Sequence, residues 1–121
     1  MSKRILIVED QEDNRRIMRD LLVASGYELI EATTGEEGLA LAERERPDLI
    51  LMDIQLPGLD GYEVTRRIKA NPALNPIPII AVTSYALSGD DQKAFAAGCD
   101  GYVTKPFSPR QLLAKIREYL K

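Results

Sequence analysis

A carboxylate follows an apolar run in the middle of the chain. Residues 49–52, LILM, lead directly into Asp53, and a turn containing Pro57, Gly58 and Gly61 comes next. A short apolar run bounded by turn residues is typical of a buried strand. An aspartate at the end of such a strand is held rigidly, and an aspartate can act as the nucleophile that forms an aspartyl-phosphate. Asp53 is therefore the candidate reactive group.

Polar side chains also follow the other apolar runs. Glu9 and Asp10 come directly after ILIV, Thr83 comes after IPIIAV, and Lys105 comes shortly after GYV. In an open sheet of parallel strands, groups at the carboxyl ends of the strands meet at one edge. Three carboxylates at that edge repel one another, and a bound cation relieves the repulsion. Oxygen ligands without His or thiolate favour Mg²⁺, with the backbone carbonyl of Gln55 as a further candidate ligand.

These groups together suit a phosphoryl group. Mg²⁺ and Lys105 would neutralise its oxygens, and the Thr83 hydroxyl would donate a hydrogen bond to it. Asp53 would then be held in line with the incoming phosphorus. The residues thus indicate phosphoryl transfer to an aspartate.

The elements that must position these groups alternate along the chain. Apolar runs predict strands at 5–8, 27–32, 49–52, 77–82 and 101–103. Helical periodicity and capping residues predict helices at 13–24, 35–45, 61–70, 88–97 and 108–120. Strict alternation predicts an α/β fold, (βα)5, with a five-stranded parallel sheet and helices on both faces. The first, third and fourth strands are continuously apolar and belong in the centre, which gives the flavodoxin-like order 2-1-3-4-5.

Two helices carry more specific expectations. In the first helix, Ile17, Met18, Leu21 and Leu22 are expected to share the buried face. In helix 88–97, Phe95 is the only large apolar residue, so we expect this helix to be weakly anchored.

Composition bounds the possible functions. The 121 residues predict one domain, 1–121, and a net charge of −3 argues against nucleic acid as a direct partner. The sequence contains no His, which excludes imidazole catalysis, and no Walker or GxGxxG motif. A single cysteine, Cys99, fits a reducing compartment and is expected to be a packed, inert thiol. No apolar run predicts membrane insertion, so a cytoplasmic location is expected.

Four segments in the observed order and spacing resemble a response-regulator receiver domain over the whole chain: ILIVED, DLILMDIQLPGLDG, IIAVTSYA and GYVTKPF. The resemblance implies a CheY-like fold with Asp53 as the phosphoacceptor. It implies that Asp10 is a direct Mg²⁺ ligand and that Glu9 acts through water. Lys105 would contact the phosphoryl group, and Thr83 and Tyr102 would form the conformational switch.

The VEDQEDNRR and MDIQLP segments are most similar to stand-alone DivK-type regulators and to receivers of hybrid histidine kinases. The resemblance implies a monomeric or weakly dimeric switch that takes phosphate from a sensor histidine kinase or a histidine phosphotransfer protein. It would promote its own phosphorylation and slow dephosphorylation. Without an output domain, its output would be a contact with a downstream protein through helix 88–97, strand 101–103 and helix 108–120. Gln55 and Tyr85, two residues after Asp53 and Thr83, would tune the phosphoryl lifetime.

Three alternatives remain at this point. The chain could be a receiver taken from a hybrid histidine kinase. A haloacid-dehalogenase-type phosphatase also uses an aspartate nucleophile and Mg²⁺, but it needs a second aspartate where Gln55 stands. A flavodoxin-like redox carrier needs a phosphate loop after the first strand, where the acidic EDQEDNRR would repel the phosphate of FMN.

Overall fold

Strands and helices alternate as predicted in the computed structural model, which describes residues 2–56, 58–83, 90–105 and 108–120. The strands are β1 (Arg4–Val8), β2 (Glu28–Ala32), β3 (Leu49–Asp53), β4 (Ile79–Thr83) and β5 (Gly101–Thr104). The helices are α1 (Glu12–Ala24), α2 (Gly35–Glu45), α3 (Gly61–Ala70), α4 (Asp90–Ala97) and α5 (Pro109–Tyr119).

Half of the predicted bounds match the observed ones, and the other half differ by one or two residues. The predicted strand 101–103 extends to Thr104, and the predicted helix 108–120 is Pro109–Tyr119 with Ser108 as its N-cap. Ser88, the expected first residue of helix 88–97, lies outside the described residues, as does Tyr85.

All strand pairs are parallel, and their order is β2-β1-β3-β4-β5. The predicted order is thus confirmed. The physical reason is burial: every residue of β3 and β4 is buried, whereas most of β2 is only partly covered. Continuously apolar strands take the central positions because both of their faces are covered by helices.

Two apolar cores lie on opposite faces of the sheet. On one face the core includes Val8, Met52, Val64, Ile68 and Ala94. On the other it includes Ile7, Met18, Leu22, Leu112 and Ile116. Helices α2, α3 and α4 therefore cover the first face, and α1 and α5 cover the second. Among the described residues, no helix has both the length and the apolar character that a membrane span requires.

The expectation for α1 is wrong in one respect. Met18 and Leu22 are buried, but Ile17 is 52% exposed. At 100° per residue, Ile17 lies well away from the line through Met18 and Leu22, so it cannot share their face fully. Arg15, three residues before Met18, lies on that line instead, and its side chain is only 11% exposed.

Small residues attach α4 to the rest of the molecule. Ala94 and Ala97 are buried, whereas Phe95 is 51% exposed. Phe95, the one large apolar residue in 88–97, is thus largely outside the core and does not anchor the helix. Because alanine side chains bury little apolar area, the part of α4 whose side chains are described is held by few strong contacts.

Candidate functional site

Three carboxylates meet at the carboxyl edge of the sheet. Asp53 ends β3, and Glu9 and Asp10 follow β1, which pairs with β3 through Val8 and Met52. Glu9, Asp10 and Asp53 each place one carboxylate oxygen within 4.8 Å of the others. Glu9 is fully buried and Asp53 is 3% exposed, whereas Asp10 faces solvent. The sheet topology brings together the acids that the sequence predicted at this edge.

Lys105 lies directly beside two of these acids. Its Nζ donates to Oε1 of Glu9 at 2.6 Å and to Oδ2 of Asp53 at 3.5 Å. Its backbone N–H donates to the carbonyl of Thr83 at 2.6 Å, so the end of β5 is fixed to the end of β4. The position of Lys105 at this edge was predicted, but its ion pair with Glu9 was not.

Burial raises the pKa of Glu9 to about 7. Desolvation is the main cause, and the neighbouring Asp53 carboxylate acts in the same direction. The Lys105 ammonium opposes both effects, because it favours the ionised carboxylate. Three carboxylates meet one ammonium in this cluster, and a bound cation would stabilise their ionised forms.

The residues present fit a Mg²⁺ ion. The cluster offers carboxylate oxygens, which are the ligands that Mg²⁺ prefers, and Asp10 leaves one side open to solvent. The chain also turns sharply around Asp53: the Gln55 N–H donates to Oδ1 of Asp53 at 3.0 Å. Gly61 makes this turn possible, because a Cβ at that position would lie 2.3 Å from the carbonyl oxygen of Asp53. Asp10 and Asp53 would bind the ion directly, and Glu9 would act on it through water.

Gln55 lies on this turn with its side chain partly covered. Its side-chain Nε2 is buried and has no hydrogen-bond partner among the residues that the structure describes. The proposed roles of Gln55, as a carbonyl ligand and as a residue near the reacting water, stay predictions.

Thr83 and Tyr102 lie on neighbouring strands. Thr83 is buried at the end of β4, and Tyr102 on β5 pairs with Ala81. Alternate residues of a strand point to the same face, so Ala81, Thr83 and Tyr102 share one face of the sheet. Tyr102 is half-buried and packs against the core on that face. Ala81, which has a small side chain, is the register partner of Tyr102 on this face.

Arg15 is a residue of the site that the sequence analysis missed. Its Nη1 donates to the carbonyl of Glu9 at 3.0 Å, and the guanidinium also pairs with Glu12 and, at 3.5 Å, with Glu31. The signal in the sequence is its spacing: Arg15, Met18 and Leu22 are at i, i+3 and i+7, so a charged residue falls on the apolar stripe of α1.

Comparison with known proteins gives a consistent result. The family model described as response regulator receiver domain matches residues 5–117. The polar-differentiation response regulator DivK of Brucella anthropi is 48% identical over 120 residues, which cover 99% of this chain and 98% of DivK.

Solved structures with the same architecture agree with this match. The receiver domain of a sensor histidine kinase from Pseudomonas aeruginosa, with a magnesium ion coordinated in its active-site cleft, is 38% identical with a TM-score of 0.92. The match covers 99% of this chain and 98% of that domain. A putative response regulator from Chloroflexus aurantiacus is 31% identical with a TM-score of 0.96, again over 99% and 98% of the two chains.

Proposed function

Because the chain belongs to the response-regulator receiver family and is similar to DivK over nearly its whole length, we propose that it takes up a phosphoryl group on Asp53. The observation that carries this assignment is the position of Asp53: a buried carboxylate beside Glu9, Asp10 and the Lys105 ammonium. Phosphorylation and Mg²⁺ in the active site are typical of this family. Receiver domains in general interact with histidine kinases and phosphotransfer proteins, and a partner phosphohistidine is the proposed donor here.

In the proposed reaction, a carboxylate oxygen of Asp53 attacks the phosphorus of the phosphohistidine. The new P–O bond forms as the P–N bond breaks, and the electron pair returns to the imidazole, which then takes a proton from water. Bound Mg²⁺ supplies positive charge for the phosphoryl oxygens. The buried end of β3 keeps the nucleophile in place, so little orientation entropy is lost on reaction.

Lys105 and Thr83 have separate proposed roles. The Lys105 ammonium lies 3.5 Å from Oδ2 of Asp53 and would neutralise a phosphoryl oxygen once the acceptor carries phosphate. The Thr83 hydroxyl would donate a hydrogen bond to another of these oxygens. Since Thr83 and Tyr102 share a face of the sheet, we propose that movement of Thr83 lets the Tyr102 ring turn inward.

The surface formed by α4, β5 and α5 is the proposed output face. A groove of about 350 Å³ lies on this face, and Tyr102, Gln111, Lys115 and Glu118 are among its lining residues. Tyr102 connects the groove to the switch, so a turn of its ring would change the shape that a downstream protein meets. Self-association would be weak or absent, and neither nucleic acid nor a membrane is a proposed direct partner.

The lifetime of the phosphoryl group is proposed to depend on Gln55 and Tyr85. Gln55 adjoins the acceptor, because its N–H binds Oδ1 of Asp53. Its side chain would orient or block the water that hydrolyses the aspartyl-phosphate, and Tyr85 would shield the same path. In this proposal the protein promotes its own phosphorylation and its slow dephosphorylation, and it acts on no separate substrate.

Intact-mass measurement after incubation with acetyl phosphate and Mg²⁺ tests the assignment. The wild-type protein should gain the mass of one phosphate, and the gain should disappear when Mg²⁺ is removed with a chelator. Asp53→Asn should abolish the gain, because an amide is not a nucleophile.

Asp20→Asn is the matched control, since Asp20 is an exposed aspartate of α1. It should be labelled like the wild type. A full mass gain in folded Asp53→Asn would show that another residue is the primary acceptor.

A further inference from the structure

We propose that Arg15 is a positioning residue for the Mg²⁺ site, because it fixes the peptide that joins Glu9 to Asp10. This inference rests on the function proposed above, since it concerns the same acidic cluster. Arg15 does not approach the reacting atoms. It acts through the carbonyl of Glu9.

The contact geometry links Arg15 directly to the backbone of the cluster. Nη1 of Arg15 donates to the Glu9 carbonyl oxygen at 3.0 Å. That oxygen and the N–H of Asp10 belong to one planar peptide unit. Fixing the oxygen therefore fixes the orientation from which the Asp10 side chain begins. Asp10 itself is exposed, so its position depends on its backbone more than on packing.

Other bonds hold Glu9 on its remaining sides. The Glu9 N–H donates to the carbonyl of Ala32 at 3.0 Å, and Oε2 of Glu9 accepts from the Gln11 N–H at 3.2 Å. Oε1 of Glu9 accepts from Lys105 at 2.6 Å. The Arg15 bond completes this set at the carbonyl, which is the group nearest in the chain to Asp10.

Arg15 is itself held rigidly. Its guanidinium pairs with Glu12 one turn earlier on α1 and with Glu31 on the edge strand β2. Glu31 is fixed in turn by Arg19, which donates to its two oxygens at 2.9 and 2.8 Å. A side chain with only 11% exposure and paired carboxylates has few alternative rotamers. The network therefore connects the cluster to β2 through Arg15.

The charge of Arg15 and its hydrogen bond to the Glu9 carbonyl predict opposite changes in Mg²⁺ affinity when Arg15 is replaced. Arg15 is a cation next to a cation site, and removing it leaves Glu12 and Glu31 with less compensation. Through charge alone, Mg²⁺ would then bind more tightly. Through position, Mg²⁺ would bind more weakly, because Asp10 would no longer be held for coordination. The sign of the change separates the two explanations.

The test is isothermal titration of the metal-free protein with Mg²⁺, combined with backbone amide spectra recorded without metal. We expect Arg15→Gln to weaken Mg²⁺ binding about tenfold, at the lower end of the effect of losing an outer-shell partner. The amide signals of Asp10 and Gln11 should shift even before Mg²⁺ is added. Arg16→Gln is the matched control: Arg16 is the adjacent arginine, is exposed, and pairs with Asp13 instead. It should bind Mg²⁺ within about twofold of the wild type, as exposed ion pairs contribute little.

Folded Arg15→Gln that binds Mg²⁺ as tightly as the wild type, or more tightly, would overturn the inference. If circular dichroism shows that Arg15→Gln does not fold, the Mg²⁺ titration and the amide spectra are repeated with Arg15→Lys. This variant keeps the positive charge but lacks the planar guanidinium with its several N–H donors. Unchanged affinity and unchanged Asp10 signals in that variant would overturn the inference. Failure of the wild type to bind Mg²⁺ would overturn the proposed site together with the inference, and so is distinguishable from failure of the inference alone.

Discussion

Asp53 shows how much of the chemistry depends on the surroundings of one side chain. Its Oδ1 accepts from the Gln55 N–H at 3.0 Å, and its Oδ2 faces the Lys105 ammonium at 3.5 Å. Glu9, buried in the same cluster, has its pKa raised to about 7, chiefly by desolvation. The same residue types on the surface would be ordinary solvated acids. Burial and neighbours therefore decide which carboxylate carries which role.

Cys99 is the complementary case of a group that burial makes inert, as the sequence analysis expected. The thiol is almost fully buried near the hydroxyl of Thr65, and burial raises its pKa from 9.0 to about 11. Between pH 8 and pH 9 this lowers the thiolate fraction by up to about a hundredfold relative to the unfolded chain.

We therefore predict that iodoacetamide alkylates Cys99 of the native protein at least about a hundredfold more slowly than Cys99 of the urea-unfolded protein near pH 8. Raising the pH toward 11 should accelerate the native reaction, because the thiolate fraction then increases. Alkylation followed by mass spectrometry measures both rates. Equal rates in the native and unfolded protein would contradict the burial of this thiol.

At the scale of single elements, α4 and α5 differ in how they are attached. Helix α5 inserts Leu112 and Ile116, both fully buried, whereas α4 presents Ala94 and Ala97 to the core. Elements with few buried apolar contacts open at lower free energy and are the ones that move. Of the three elements of the proposed output face, α4 is therefore the one that we expect to respond to phosphorylation.

Beryllofluoride, a mimic of the phosphoryl group, should reveal this response in amide exchange experiments with Mg²⁺ present. We predict changes from Thr83 through Tyr102 into α4, with little change in the central strands β1 and β3. Thr83→Ala should still bind beryllofluoride but should lose the changes at Tyr102 and α4, because the hydroxyl that transmits them is absent.

The control is the same titration without Mg²⁺, which should leave the exchange rates unaltered. Changes confined to the loop after Asp53, with Tyr102 and α4 silent, would contradict the proposed switch.

At the scale of the whole molecule, the two ends of the sheet carry different polar groups. The acidic cluster lies at the carboxyl ends of the strands, and Lys69 forms hydrogen bonds at the opposite end. Its Nζ donates to the carbonyls of Asn75 and Ile77 at 3.0 and 2.8 Å and to Oδ2 of Asp100 at 2.9 Å. Asp100 also accepts from the Ile79 N–H at 2.9 Å. One lysine thus joins α3 to the segments that enter β4 and β5.

We predict that Lys69→Met lowers the free energy of unfolding by about 1–3 kcal/mol, since it removes the donor to the partly buried carbonyl of Ile77 together with the ion pair to Asp100. Lys93→Met, at an exposed position of α4, is the matched control and should change stability by less than about 0.5 kcal/mol. Urea unfolding measures both. A Lys69→Met protein as stable as the control would show that these bonds contribute no net stability.

The sequence was sufficient to predict the sheet and the membership of the acidic cluster. LILM and IIAV are continuously apolar because both of their faces are covered, and this pattern alone predicted the central strands. Parallel strands bring their carboxyl ends to one edge, so Glu9, Asp10 and Asp53 were expected together before any distance was known. The sequence was sufficient here because each strand, and the acid that follows it, can be recognised within one short segment.

Only the tertiary structure decided how distant segments meet. The Lys105–Glu9 ion pair and the Arg15 bond to the Glu9 carbonyl depend on side-chain directions that a linear pattern does not contain. Ile17 was expected to be buried and is exposed, because α1 packs against the sheet through Met18 and Leu22, and Ile17 lies well away from their line on the helix. Sequence periodicity predicts which side chains share a face of a helix or strand. Packing between the elements determines which of these side chains are buried and which residues they contact. Those contacts set the charge and the geometry of the site.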